Sequence, residues 1–251
     1  MVENDYSRFM NIGFEDFKLL ANDDTLSKNE KIGFPDTYRD GYDQKIYQDI
    51  VSKIGLIQQN NTILDIGPGC SELTNIIIQE STTRNADLTL IDSEEMLNLL
   101  PNKNGVKKIV GFFPSTDVKE KLERQEKFDK IICYSVFHYL FVEADILKFL
   151  DYTLELLKPG GRFLLADIPN QSMRYRFFSS SEGVKFQEKY IGTTSSQRPV
   201  TPSISSEHID DAVLFGMITR ARSKGYHGYI VPQHEDLPMS NRREDLLFIK
   251  P

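Results

Sequence analysis

Thr62-Ile63-Leu64-Asp65-Ile66-Gly67-Pro68-Gly69-Cys70-Ser71 is the stretch whose reading decides the fold. An apolar run carrying one carboxylate, Asp65, enters a Gly-Pro-Gly turn, and residues 72–80 follow with helical patterning. A strand that turns tightly into a helix is the opening unit of an α/β domain. It brings backbone N–H groups and a helix start to one edge of a sheet. Gly67 and Gly69 let the backbone approach a ligand that a Cβ would block. The dinucleotide pattern G-x-G-x-x-G is not met, because Glu72 stands where the third glycine belongs.

Working outward, strands and helices alternate. Residues 88–91 read as a second strand ending at Asp92, and Ser93 caps a short helix that stops before Pro101. Residues 106–112 read as strand three, 117–127 as a charged surface helix and 128–134 as strand four. Residues 143–157 carry Ile146, Leu147, Leu150, Leu154 and Leu157 at helical spacing. Lys158-Pro159-Gly160-Gly161 then stops the helix ahead of strand five at 162–166. Such alternation predicts a mostly parallel sheet covered by helices on both faces. Periodicity breaks over 168–205, a length that suits an active-site cover. A helix capped by Ser206 is expected to run to Lys224 with Ile209, Val213 and Met217 buried, and strands at 228–231 and 246–249 close the chain. Upstream, Phe14, Phe17 and Leu20 share a helical face, and Ile46, Ile50, Val51 and Ile54 mark a helix ending near Gly55.

The 251 residues suit one domain with a decoration. The net charge of −7 and the lack of a Lys/Arg run argue against a nucleic-acid partner. No apolar stretch reaches the ~18 residues of a membrane span. The polar N-terminus does not read as a secretory signal, and two cysteines, Cys70 and Cys133, suit a reduced setting. The location expected is therefore cytoplasmic. No histidine pair has i, i+4 spacing, so no metal site is expected.

Four segments in order resemble the motifs of class I S-adenosylmethionine-dependent methyltransferases. They are Leu64-Asp-Ile-Gly-Pro-Gly69, Leu90-Ile-Asp-Ser-Glu-Glu-Met-Leu97, the run from Phe128 to Tyr139, and the run from Leu157 to Ala166. The resemblance covers about residues 60–167. It implies a Rossmann-like, doubly wound seven-stranded sheet with only the last strand antiparallel, with S-adenosylmethionine across the ends of strands one, two and four. On this basis residues 1–60 form an N-terminal helical lid. Residues 61–251 form the methyltransferase domain, with 168–205 as its inserted cap.

Carried over by position, Asp65 and Gly67 contact the methionine end, with Pro68, Gly69 and Ser71 completing the turn. Asp92 holds the ribose, with Ser93 beside it. Tyr134 and Ser135 line the sulfonium. Two departures stand out: Ser71 replaces a third glycine, and no acid follows strand three until Asp117, which leaves Phe112 or Phe113 to stack on adenine. His138, after strand four, and His234, in the last loop, are the candidate bases. Tyr38, Arg39, Arg174, Arg242 and Arg243 are candidates for an anionic acceptor, since guanidinium suits carboxylate and phosphate. The expected activity is methyl transfer to a small polar, anionic metabolite such as a sugar or nucleotide sugar. The alternatives are a non-catalytic S-adenosylmethionine-binding protein, an NAD-type oxidoreductase, and a nucleic-acid or protein methyltransferase. The missing third glycine disfavours the oxidoreductase. Cys133-Tyr-Ser-Val136 at the end of strand four departs from the Asn-Pro-Pro-Tyr segment of amino-methylating nucleic-acid enzymes.

Overall fold

The structure is a computed structural model, and it describes residues 12–191 and 208–251. Ser206 and residues 192–205 of the expected cap lie outside that range, as do the first eleven residues of the expected lid.

Four helices precede the sheet: α1 (Phe14–Asn22), α2 (Lys28–Lys31), α3 (Asp36–Arg39) and α4 (Asp43–Ile54). Then follow β1 (Thr62–Ile66), α5 (Glu72–Thr83), β2 (Asp87–Asp92), α6 (Glu94–Asn98), β3 (Val106–Val110), α7 (Thr116–Glu123) and β4 (Phe128–Tyr134). The chain continues through α8 (Phe137–Glu143), α9 (Ile146–Glu155), β5 (Leu157–Pro169), α10 (Gln171–Phe178) and α11 (Ser181–Ile191). It ends with α12 (Asp211–Ser223), β6 (His227–Pro232) and β7 (Arg243–Ile249).

The seven strands lie in the order β3-β2-β1-β4-β5-β7-β6. Pairings from β3 through β5 are parallel, and β7 runs antiparallel to both β5 and β6. The chain winds outward from β1 to β3, then returns to place β4 on the other side of β1. That reversal opens a crevice at the carboxyl ends of β1 and β4.

Successive side chains of a strand point to opposite faces, so each central strand feeds two cores. Leu64, Ile131 and Phe163 pack with Phe149, Leu154 and Met217 on one face. Ile63, Ile132 and Leu164 pack with Ile46, Ile50 and Ile77 on the other. Burying each such side chain contributes about 1.5–3 kcal/mol, which explains why the sheet centre is apolar throughout.

Several boundaries differ from the sequence expectation. The helix expected at 143–157 is α9, shorter at both ends, and Glu143 instead closes α8. Asp145 caps α9, its Oδ1 accepting from the N–H groups of Leu147 and Lys148, both at 3.1 Å. Leu147 is exposed, and Phe149 takes its place on the buried face. Leu157 belongs to β5, where it pairs with Phe128. α12 starts at Asp211, not near Ser206, because Asp210 caps it by accepting from Val213 N–H at 3.0 Å. Val213 is only half-buried, and Leu214 joins Met217 inside. Residues 171–191 of the expected irregular cover form α10 and α11, the first capped by Asn170.

Candidate active site

The turn after β1 requires both its glycines. Gly67 and Gly69 have φ of 66° and 62°. A Cβ at Gly67 would sit 2.7 Å from Val136 Cγ2, and one at Gly69 would sit 2.6 Å from Ile32 Cγ2. Pro68 lies between them, its carbonyl accepting from Thr74 Oγ1 at 2.6 Å. Gly69 N–H donates to Asp92 Oδ2 at 3.0 Å, and Ser93 N–H donates to Asp92 Oδ1 at 2.7 Å. Asp92 thus ties the end of β2 to the turn after β1. Each of its oxygens retains a lone pair for a further donor. Ser71 is buried but does not cap α5; Asp43 accepts from Leu73 N–H at 3.0 Å instead.

Asp65 and Asp92 share this edge. Burial, with the Asp92 charge beside it, pushes the Asp65 carboxyl up to about 8. Burial also raises Asp92 to about 6, against the pull of the N–H groups of Gly69 and Ser93.

A cavity of about 960 Å³, partly open to solvent, lies over these strand ends. Its floor includes Asp65, Gly67, Pro68, Gly69, Ser71 and Asp92, with Tyr134 and Ser135 at the end of β4. Its roof is the N-terminal segment, which contributes Phe14, Phe17, Ile32, Phe34 and Arg39. The roof is held by specific contacts. Phe14 meets Phe112 edge to face at 5.2 Å, and Phe17 meets Tyr139 at 4.8 Å. Both carboxylate oxygens of Glu143 accept from Phe14 N–H at 3.1 Å.

Two expected contacts are revised here. Ser93 does not line the cavity; its hydroxyl caps α6 by accepting from Met96 N–H at 3.2 Å. Phe113 borders the cavity, but its buried ring packs edge to face on Phe149 at 5.7 Å. Phe112 is the half-buried ring at that wall.

Beside Ser135 lies a buried polar cluster that sequence reasoning missed. Its centre is Asp167, near the carboxyl end of β5. Asp167 Oδ2 accepts from Ser135 Oγ and from Arg243 Nη1, each at 2.6 Å. Arg39 Nη1 lies 3.9 Å from the same oxygen, and its guanidinium stacks over the rings of Phe34 and Tyr134 at 5.1 and 5.0 Å. Burial pushes the Asp167 carboxyl up, but Arg243, Arg39 and the bonds from Ser135 and Gln233 outweigh it and hold it below the usual carboxylate range. Behind it, Asp245 accepts from Asp167 N–H at 2.8 Å and pairs with Lys53 at 2.6 Å. The signal that could have found Asp167 is the one that singled out Asp65 and Asp92, a carboxylate at the carboxyl end of a parallel strand.

A second cavity, of about 680 Å³, brings together His138, Arg174, His208, Arg242 and Arg243 with Asn170 and Gln171. Among the described residues no Asp or Glu lines it. His138 and Tyr139 stand between the two cavities, since Tyr139 lines the first, His138 the second, and their rings lie 3.9 Å apart. The His138 Nδ1 is buried without a hydrogen-bond partner. Burial first, then the Arg243 charge, lowers this imidazole to about 3, so it is neutral near neutral pH.

The remaining candidates fall elsewhere. Tyr38 lines neither cavity, although Arg39 beside it lines the first. His234 is corrected as a base: it is exposed, lines neither cavity, and its Nδ1 accepts from Asp236 N–H at 3.2 Å. Its backbone N–H donates to Asp49, which turns this loop toward α4. Phe34 and Tyr139 are cavity residues that sequence reasoning did not single out. Among the described residues no cluster of His, Cys, Asp and Glu could hold a metal ion, and no helix is long and apolar enough to cross a membrane.

The strand order, the glycine turn and the carboxylate that fastens it form a Rossmann-like sheet of the kind found in class I S-adenosylmethionine-dependent methyltransferases. In agreement, residues 64–163 match the family model of the methyltransferase domain, a span from β1 into β5. The domain match and the fold together support a class I S-adenosylmethionine-dependent methyltransferase, with S-adenosylmethionine as the methyl donor. No curated protein sequence matches it. Among solved structures it is similar to the plantazolicin methyltransferase BpumL, in complex with a monoazolic desmethylPZN analog and SAH. That match has 15% identity and a TM-score of 0.57, over 94% of this chain and 97% of that one. It is similar also to the plantazolicin methyltransferase BamL, with 11% identity and a TM-score of 0.55 over 98% and 96% of the two chains. A SAM-dependent methyltransferase from Aquifex aeolicus matches with 14% identity and a TM-score of 0.54, over 89% and 97%. At these identities the likeness is one of fold.

Proposed function

We propose that the protein methylates a small metabolite bearing an anionic group, with the donor in the first cavity and the acceptor entering through the second. The residues of the first cavity fit the donor on the evidence of the turn itself. At Gly67 and Gly69 any Cβ would meet Val136 or Ile32, which leaves backbone alone facing the cavity. Asp65 and Gly67 then hold the methionine end, Asp92 accepts from the ribose hydroxyls, and Phe112 borders the adenine. Tyr134 and Ser135 flank the reacting methyl. S-adenosylmethionine supplies an electrophilic methyl group on a positively charged sulfur. The chain's own task is to align donor and acceptor and to keep water out. The apolar roof of residues 12–39 performs the second part, which makes the N-terminal segment a lid. The polar cluster performs the first, because Ser135 and Arg243 are both fixed by Asp167.

The observation that carries the acceptor class is the second cavity, where three arginines and two histidines converge beside the donor site. Arginine forks match carboxylate and phosphate geometry. The test is a turnover screen with radiolabelled donor, run on acidic, neutral and basic metabolite fractions. Label transfer confined to the acidic fraction, and weakened in Arg242→Gln, is the expected result. Transfer only to neutral or basic acceptors overturns the proposal. In the same protein, S-adenosylhomocysteine should raise the melting temperature and NAD should not.

A further inference from the structure

We propose that the second cavity takes the anionic group of an acceptor alcohol and that His138 receives the hydroxyl proton during methyl transfer, an inference that rests on the function proposed above. Three observations converge on it. First, His138 lies in the first turn of α8, shortly after β4, and its ring lies against Tyr139, so it occupies the seam between the two cavities. Second, its Nδ1 is buried with no partner. A buried polar atom left unpaired is uncommon, and an acceptor hydroxyl would supply the missing hydrogen bond. Third, arginines line the same cavity: Arg243 from β7, Arg242 from the preceding loop and Arg174 from α10, with His208 before α12 beside them. Among the described residues, Asp167 of β5 is the carboxylate that acts on the imidazole, and it is already engaged by Arg243.

These surroundings make the base conditional. In the free protein, burial and the Arg243 charge keep the imidazole deprotonated. An anion seated among the arginines offsets that charge and raises the affinity of His138 for a proton. The acceptor's anionic group is then more than a handle, since its arrival strengthens the base. In the reacting step the acceptor O–H bond breaks and its proton passes to His138. The oxygen lone pair forms the bond to the methyl carbon, and the pair of the broken carbon–sulfur bond stays on sulfur. The products are a methyl ether, S-adenosylhomocysteine and an imidazolium that returns its proton to solvent.

The test uses the full chain saturated with S-adenosylhomocysteine. The His138 imidazole resonance, assigned by its loss in His138→Gln, is titrated with pH in the absence and presence of inorganic phosphate and, separately, malonate. Calorimetry measures the binding of each anion. The expected result is that at least one anion binds, that Arg242→Gln weakens it by about tenfold, and that the His138 midpoint rises by about one pH unit. Phosphate alone assigns a phosphorylated acceptor, and malonate alone a carboxylated one. Glycerol phosphate should bind more tightly than propyl phosphate or, in the carboxylate case, glycerate more tightly than butyrate. That preference should vanish in His138→Ala. The inference is overturned if neither anion binds, if an anion binds without moving the midpoint, or if the hydroxyl confers no preference. Failure of S-adenosylhomocysteine itself to bind would instead strike the methyltransferase reading.

Discussion

If S-adenosylmethionine binds as proposed, the carboxylate pair at the ends of β1 and β2 should make its binding release protons. Asp65 is raised to about 8 by burial and by its neighbour Asp92, which is itself raised to about 6. At pH 7 a group with a pKa of about 8 is roughly nine-tenths protonated, and one with a pKa of about 6 roughly one-tenth. The ammonium and the ribose diol of the ligand both favour ionised carboxylates. Binding of S-adenosylhomocysteine at pH 7 should therefore release about one proton per site, and affinity should rise roughly fifteen- to twentyfold from pH 6 to 7 before flattening above 8. The assay is calorimetry in buffers of different ionisation enthalpy, where the slope of observed heat against that enthalpy counts the protons. Asp65→Asn should reduce the count to about 0.1. The unliganded protein should show the complementary effect. Both carboxyl groups are raised in the fold, so their contribution to stability is full below the unfolded value of about 3.9 and is lost as pH rises through about 6 and then 8. From these groups the melting temperature should fall between pH 5 and 8, and bound ligand should flatten that fall. A heat of binding independent of buffer at pH 7 refutes the reasoning.

Other consequences can be measured directly. Asp92→Ala should weaken S-adenosylhomocysteine binding at least tenfold, about 1.4 kcal/mol, through loss of charge-assisted bonds; unchanged affinity in calorimetry removes Asp92 from the site. Gly69→Ala should destabilise by about 1–2 kcal/mol from the left-handed backbone and a further ~1–3 kcal/mol from the collision with Ile32. Adding Ile32→Ala should recover only the second part in urea unfolding. Asp167→Asn should cost about 3–5 kcal/mol at pH 7, because Arg243 loses its buried partner. That difference should shrink below about pH 4, where the carboxyl of the unfolded chain takes up its proton, and should go on shrinking until pH falls through the lowered value of the folded state.

Strands were legible where the pattern was local. β1 and β4 run over the residues expected, because both are apolar runs bounded by turn chemistry or charge. The start of α9 was set three residues early, since the apolar spacing does not mark it and the Asp145 cap does. Leu157 joins β5 through a pairing with Phe128, a partner that periodicity along the chain cannot reveal. At the cavity, the placement of the glycines and of the carboxylates of β1 and β2 was legible because it follows from position on the sheet. The Asp167 cluster was not. It assembles α3, β4, β5 and β7, and the burial of Arg39 depends on two rings nearly a hundred residues apart, Phe34 and Tyr134. His234 was misplaced for a similar reason: its loop turns toward Asp49 of α4, a contact set by packing.

The cap of α5 has a practical consequence. The helix that begins beside the glycine turn depends for an early N–H on Asp43, thirty residues upstream, while its own Ser71 leaves that group unserved. Cutting the chain between α4 and β1 would therefore remove more than a cover: the first turn of α5 would fray into the floor of the donor pocket. Shortened versions that keep every sheet strand should still melt earlier and hold nucleoside poorly, and adding the missing peptide back as a separate molecule should restore both properties together.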